Sequence, residues 1–288
     1  MNLFSEREGI HPKKLEMQEN SIDQSLKLNI WNFIYLDIIK KIERFVRTGT
    51  LEGLILSRIW GLVLKRPLDE MPGRIDIFLP EFKSFFFSCQ WYRIYDIIEL
   101  IHSTMEEESS RQNSFSHTCN YILKEEMSAW RIIGNRVCKI SSEEEKEAIE
   151  EALNLSNSIP SVKTHLEQAL NLISDRKNPD YRNSIKESIS GIESLCKIIT
   201  GNKKATLSQA LSQLDDASGV KIHKALRNSF ESLYGYVSDA QGIRHGLDLL
   251  EEPNLDFDDA KFMLVSCSAF INFLILKASK ANIDLAKS

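Results

Sequence analysis

Apolar residues recur along most of this chain in steps of three and four, with polar residues between them, which is the period of an α-helix. Residues 21–47 carry Leu26, Ile30, Phe33, Ile34 and Ile38 on one face and close at Thr48-Gly49, so they predict a first helix. Leu51–Leu64 predicts a second, stopped by Pro67. Pro67–Pro80 holds three prolines and Gly73 and reads as a loop, with a short extended piece at Arg74–Leu79. Pro80 suits the first turn of an aromatic-rich helix running to about His102. A polar break at Glu106–Asn113 precedes a short helix at Ser114–Glu126.

One stretch departs from the helical period. Residues 129–140 place β-branched side chains on both sides of Gly134-Asn135, a dipeptide that tolerates positive φ, so they predict a β-hairpin. Ser141-Ser-Glu-Glu-Glu145 then has the form of a capping box and opens a helix to about Asn157, ended by Pro160. The domain boundary falls between 140 and 160, and we divide the chain into residues 1–145 and 146–288. Beyond it, helices are expected near 161–175, 179–200, 205–215, 220–249 and 257–281. The last is apolar on most sides, with Asp256, Asp258 and Asp259 at its positive end. The expected fold is mainly α: a helical N-terminal domain with a small β-hairpin, followed by an antiparallel helical bundle.

Composition narrows the function classes. The 288 residues carry 36 Lys+Arg against 41 Asp+Glu, a net charge of −5, which argues against a broad basic surface. Residues 160–288 balance 16 basic against 16 acidic residues, so any nucleic-acid contact is local and belongs to the second part. The N-terminus lacks the pattern of a secretory signal. The longest apolar stretch, Phe262–Leu276, is interrupted by Ser266, Ser268 and Asn272 and is shorter than the ~20 residues of a membrane span, so it reads as a core helix. Five scattered cysteines suit a reducing cytoplasm.

Most familiar catalytic patterns are missing: no Gly-rich phosphate loop, no close cysteine pair, no His-x-x-x-His and no Gly-x-Ser-x-Gly. His117 and Cys119 stand close in sequence, but the cysteine suits a buried apolar position. Asp76, Glu81 and Lys83 follow the order of metal-dependent nucleases at too short a spacing, and a charged loop describes them better. No cofactor or metal is expected.

The stretch 235–248 is different. Three glycines interrupt a helical pattern, at about 1 kcal/mol each relative to alanine. Gly235, Asp239, Gly242 and Gly246 share one narrow helix face; Ser238, Gln241, His245 and Asp248 share the next, with Arg244 beside them. A histidine titrates near neutrality, Asp248 one turn on can orient its ring, and Arg244 is a permanent cation suited to phosphate. Together they can bind a phosphodiester, and His245 can move a proton in RNA cleavage. An Arg–Asp surface pair on a bent helix, with the histidine bonded to a carbonyl, fits the same residues.

The chain resembles AbiJ-type abortive-infection proteins. In the first part the resemblance rests on Phe4-Ser-Glu-Arg-Glu-Gly9, Leu28-Asn-Ile-Trp-Asn32 and the hairpin before the Glu-rich helix. In the second part Tyr181-Arg-Asn-Ser-Ile185, Ile189–Glu193, Leu233-Tyr-Gly-Tyr236 and Ser238–Gly246 resemble a HEPN-like domain. The resemblance implies a helical bundle, often a homodimer, that cleaves RNA without metal in phage defence, using an arginine and a histidine four to six positions later. The histidine corresponds to His245. The arginine would fall at 238–240, where this chain has Ser238, Asp239 and Ala240; Arg244 stands beside the histidine instead, and Arg227 lies too far back. The candidate catalytic residues are therefore His245, Arg244 and Asp239, with Ser238, Gln241 and Asp248 holding substrate. The implied partners are RNA, a second copy of the chain, and a phage trigger or second defence-system protein, with no membrane. A non-catalytic sensor or adaptor that binds nucleotide, RNA or a partner protein is the alternative.

Overall fold

The computed structural model describes residues 4, 16–47, 49–140, 142–175, 178–239 and 255–287, with the backbone alone at 215–218, 234–239 and 287. The fold is mainly α with one two-stranded β-hairpin. The chain divides into two compact units, Met1–Ser141 and Ser142–Ser288.

In the first unit α1 (Gln24–Asp37) begins at Asp23, whose carboxylate accepts from the Leu26 amide at 2.9 Å, rather than at Ser21. The helix also stops sooner than the apolar spacing predicts. A 3-10 turn at Ile39–Lys41 follows, and then the backbone of 44–46 bonds to that of 73–75: Val46 donates to Gly73 and Ile75 to Arg44, both at 3.0 Å. Ile38 and Ile39 stay buried although the α-helix has ended. Backbone groups need partners, and here an extended segment well beyond α1 in the chain supplies them.

Helix α2 (Leu51–Arg58) continues through a π turn at Ile59–Val63, so the element expected over Leu51–Leu64 is present as one run. Its end is held by the Trp60 indole, which donates to the Pro67 carbonyl at 2.7 Å.

The loop expected from Pro67 is present up to Arg74, but the extended piece expected at Arg74–Leu79 is instead the start of α3 (Ile75–Ser88), with Pro80 inside it. A proline within a helix costs about 3 kcal/mol. Phe78, Phe82 and Phe86 recur every four residues and are fully buried. Each contributes about 2 kcal/mol on burial, so the apolar stripe wins over the proline. The helix expected from Pro80 to His102 is broken at Cys89-Gln90, both extended, and resumes as α4 (Trp91–Thr104). The buried Lys27 ammonium donates to the carbonyls of Phe87 (3.3 Å) and Cys89 (3.1 Å), offering a cationic partner that a continuous helix would not need. Helix α5 (Ser109–Glu125) starts five residues before Ser114, so the polar break is shorter than expected.

The hairpin forms where the sequence places it. Strand β1 (Arg131–Ile133) pairs antiparallel with β2 (Arg136–Cys138), Ile132 opposite Val137. Gly134 has φ +54°, while Asn135 keeps negative φ, so the glycine alone meets the turn's demand. The outer edge of β1 is covered by Asn120 of α5, whose amide donates to the Ile132 carbonyl (2.8 Å) and accepts from its N–H (2.7 Å). Asn120→Ala leaves two buried backbone groups unpaired and lowers the stability of this unit by about 2 kcal/mol in urea denaturation.

The second unit contains α6 (Glu143–Leu155), α7 (Pro160–Ser174), α8 (Tyr181–Thr200), α9 (Leu207–Ser218), α10 (Lys224–Asp239) and α11 (Phe257–Lys280). Helices α7 and α8 run antiparallel. Ser184 bonds to Ala169, Glu187 to His165 and Ser194 to Ser161, so one number rises as the other falls. Ser184, Ser188 and Gly191 are buried on the shared face and allow close approach. Helix α9 begins with a full capping box, Thr206 and Gln209.

Helix α11 has 24 residues, longer than its apolar core, and by length and composition it could cross a membrane. Over half of its most apolar window is nevertheless buried inside the unit, against α6, α7 and α8. Its Asn272 amide donates to the Ala148 carbonyl at 3.0 Å and to the Glu151 carboxylate at 3.1 Å.

Candidate functional site

Helix α10 leads into the stretch the sequence singles out. It starts at Lys224, later than expected, and its last two residues are Ser238 and Asp239, whose side chains lie outside the described set. Gln241, Arg244, His245 and Asp248 lie outside the described residues altogether.

The described part of α10 is seated by aromatic contact. The Phe230 ring stacks on Phe270 of α11, with centroids 3.5 Å apart and planes 11° from parallel. A small recess beside it, ≈ 260 Å³ counting its open mouth, is lined by Ile189 and Ile192 of α8, Leu207 of α9, Phe230 and Leu233 of α10, and Met263 and Cys267 of α11. That lining has no charged group to orient a phosphate. Burial pushes the Cys267 thiol up to about 12, so it stays protonated and behaves as an apolar residue. The recess is therefore a packing seam under α10.

Sequence reading missed one pair that tertiary packing assembles. The His165 Nδ1 on α7 lies 2.7 Å from the Glu187 carboxylate on α8, both half-buried. A carboxylate on one ring nitrogen holds the ring and sets its tautomer, which leaves the other nitrogen as a hydrogen-bond acceptor. Nothing in the stretch between the two residues signals the pairing; only the antiparallel α7–α8 seam aligns them.

The other candidates are dispersed. Asp76 is hydrogen-bonded to Arg74 (Nε–Oδ1 2.9 Å), which pulls its carboxyl below the usual range. Glu81 pairs with Arg66, and the Lys83 ammonium sits 5.9 Å over the Trp31 ring. The nuclease-like order Asp76, Glu81, Lys83 is thus three separate surface contacts. Among the described residues no group of three His, Cys, Asp or Glu side chains could hold a metal ion. His117 is exposed on α5, whereas Cys119 is buried and its thiol is pushed up to about 12, so the two face apart.

These features describe a class: a mainly helical protein whose N-terminal helical unit carries a β-hairpin and is followed by a helical unit. A family model for the AbiJ N-terminal domain 4 matches residues 2–155, more than half of the chain. The chain belongs to that family, and through it to the proteins related to abortive infection and defence. No curated protein and no solved structure matches it.

Proposed function

We propose that this protein is an antiphage abortive-infection effector whose second unit is a HEPN-like, metal-independent ribonuclease. RNA is cleaved at a dimeric site built from Arg244 and His245, with Asp239 beside them and Ser238, Gln241 and Asp248 holding the substrate. The observation that carries this reading is the residue pattern after α10. That helix packs on the bundle through Phe230 and ends at Asp239, and the glycine-punctuated sequence that follows it holds Arg244, His245 and Asp248 within five residues. Membership in the AbiJ family supports the defence role.

His245 supplies proton transfer near neutral pH, and Arg244 balances charge on the phosphodiester. Adjacent residues on a helix point about 100° apart, so an Arg244 from a second copy completes the site across a two-fold axis.

Expression of wild type and His245→Ala, with growth measured and cleaved RNA ends sequenced, tests the reading. Wild type is expected to arrest growth and to cleave RNA in the presence of chelator. His245→Ala is expected to do neither while keeping its circular dichroism spectrum. Cleavage retained in that variant overturns the proposal. The chain's Ser238, Asp239 and Ala240, where the HEPN pattern has arginine, favour a second reading: a non-catalytic sensor or adaptor. A stable co-purifying partner, with no cleavage by pure wild type, selects it.

A further inference from the structure

Charge in the second unit is segregated. Residues 201–227 hold five Lys and Arg against two Asp, within a region, 160–288, whose net charge is zero. Several lysines elsewhere in the unit are paired: Lys146 with Glu143 at 3.1 Å, Lys197 with Glu193 at 2.7 Å, Lys261 with Glu145 at 3.5 Å. Lys203, Lys204, Lys221, Lys224 and Arg227 have no ion-pair partner among the described residues, and all but Arg227 are exposed. Five cations without an ion pair among the described residues keep their charge available to an outside anion.

They fall in two groups, one at each end of α9. Lys203 and Lys204 lie in the turn before α9, which Asn202 fastens to Gln213 at 3.1 Å. Lys221, Lys224 and Arg227 lie beyond its other end, where Val220 donates to Leu214 at 3.3 Å and the chain turns into α10. The intervening helix has 12 residues, about 18 Å at 1.5 Å per residue. Its described exposed side chains are Ser208, Gln209 and Ser212, uncharged and able to hydrogen-bond. Asp215 and Asp216 are the acidic residues on the same helix.

We propose that this track, Lys203–Lys204 along α9 to Lys221, Lys224 and Arg227, binds the phosphate backbone of single-stranded RNA. Two groups of cations separated by the length of α9 match a row of phosphates; a single small anion would engage one end only. The inference rests on the ribonuclease reading for its biological meaning, but its test is separable.

The test is binding of a fluorescent single-stranded RNA, long enough to span both groups of cations, by the full chain carrying His245→Ala, which leaves the probe intact. Binding is expected to weaken about 100-fold from roughly 50 to 200 mM salt, since each phosphate contact contributes a logarithmic slope of roughly 0.7 for single strands. Lys203→Glu with Lys204→Glu, and separately Lys221→Glu with Lys224→Glu, should each weaken binding by about tenfold or more and flatten the slope. The corresponding Lys→Arg pairs should bind as the parent does. Circular dichroism confirms the fold in every variant. Affinity within about twofold of the parent in both reversal pairs overturns the track, as does binding to phosphatidylserine vesicles with none to RNA. Unchanged RNA binding in the reversal pairs, with cleavage by wild type, removes the track and leaves the ribonuclease reading. RNA binding lost on reversal, with no cleavage by wild type, keeps the track and removes the ribonuclease.

Discussion

Phe82→Ala destabilises the first unit by about 3–5 kcal/mol, the range for truncating a fully buried phenylalanine. Phe82 has no exposed surface. Its ring lies 5.5 Å from Trp31, 5.9 Å from Phe78 and 6.2 Å, edge-on, from Phe86. Alanine removes the transfer term, opens a cavity among rigid rings that cannot collapse into it, and deletes aromatic contacts of about 1 kcal/mol each. It also removes part of the stripe that holds Pro80 within α3. All four tryptophans (Trp31, Trp60, Trp91 and Trp130) lie in the first unit, so their fluorescence follows it alone. The urea midpoint of the fluorescence transition should fall sharply in Phe82→Ala and by a smaller amount in Phe82→Leu, which keeps most of the volume. A loss under about 1 kcal/mol in the alanine variant, well below the usual cost of such a truncation, would show that Phe82 is not central to this core.

The first unit is also expected to lose stability on mild acidification through His102. Its side chain is buried on α4, its Nδ1 has no hydrogen-bond partner, and its ring faces Phe115 at 6.3 Å. Burial pushes its pKa down from 6.5 to about 4. Between those values the unfolded chain binds a proton that the folded one refuses, so stability falls as pH drops. The effect is absent above about pH 7, grows below 6.5 and saturates below about 4. It amounts to about 2 kcal/mol by pH 5 and about 3 kcal/mol at its limit, at roughly 1.36 kcal/mol per pKa unit. His102→Leu replaces an unsatisfied buried nitrogen with an apolar side chain. Its stability should match or exceed wild type at pH 7 and stay flatter from pH 7 to 5. An unchanged pH slope in that variant would rule His102 out as the cause.

Helices whose packing follows their own apolar stripe were legible. Pro160–Ser174, Tyr181–Thr200 and Phe257–Lys280 begin and end close to where spacing and caps put them. The hairpin was legible because Gly134-Asn135 is a local turn signal with β-branched flanks. Asp23 rather than Ser21 caps α1, because both residue types cap well and only the buried register of Leu26, Ile30 and Ile34 chooses between them. Pro80 misled for a similar reason: a proline favours a first turn locally, while Phe78, just before it, belongs to the buried stripe and pulls the helix start back to Ile75. The break at Cys89-Gln90 depends on Lys27, in a different helix and far back along the chain.

The candidate site divides along the same line. Ser238, Asp239, Gln241, Arg244, His245 and Asp248 stand out because glycines, a histidine and an arginine are crowded into a few helical turns of sequence. The His165–Glu187 pair could not be found that way, since neither residue is unusual among its neighbours. The cations of 201–227 were visible as letters, but their lack of carboxylate partners among the described residues was not.

By itself the sequence determined a mainly helical chain with one hairpin, the AbiJ resemblance of its first part, and the crowded stretch at 235–248. These are local properties: period, turn chemistry and residue identity act over a few neighbouring positions. Tertiary structure decided where α1 stops, that Pro80 sits inside a helix, which histidine meets a carboxylate, and which lysines pair with a carboxylate. Each depends on partners from other turns and other helices, and only the packed chain brings such partners within reach of a hydrogen bond.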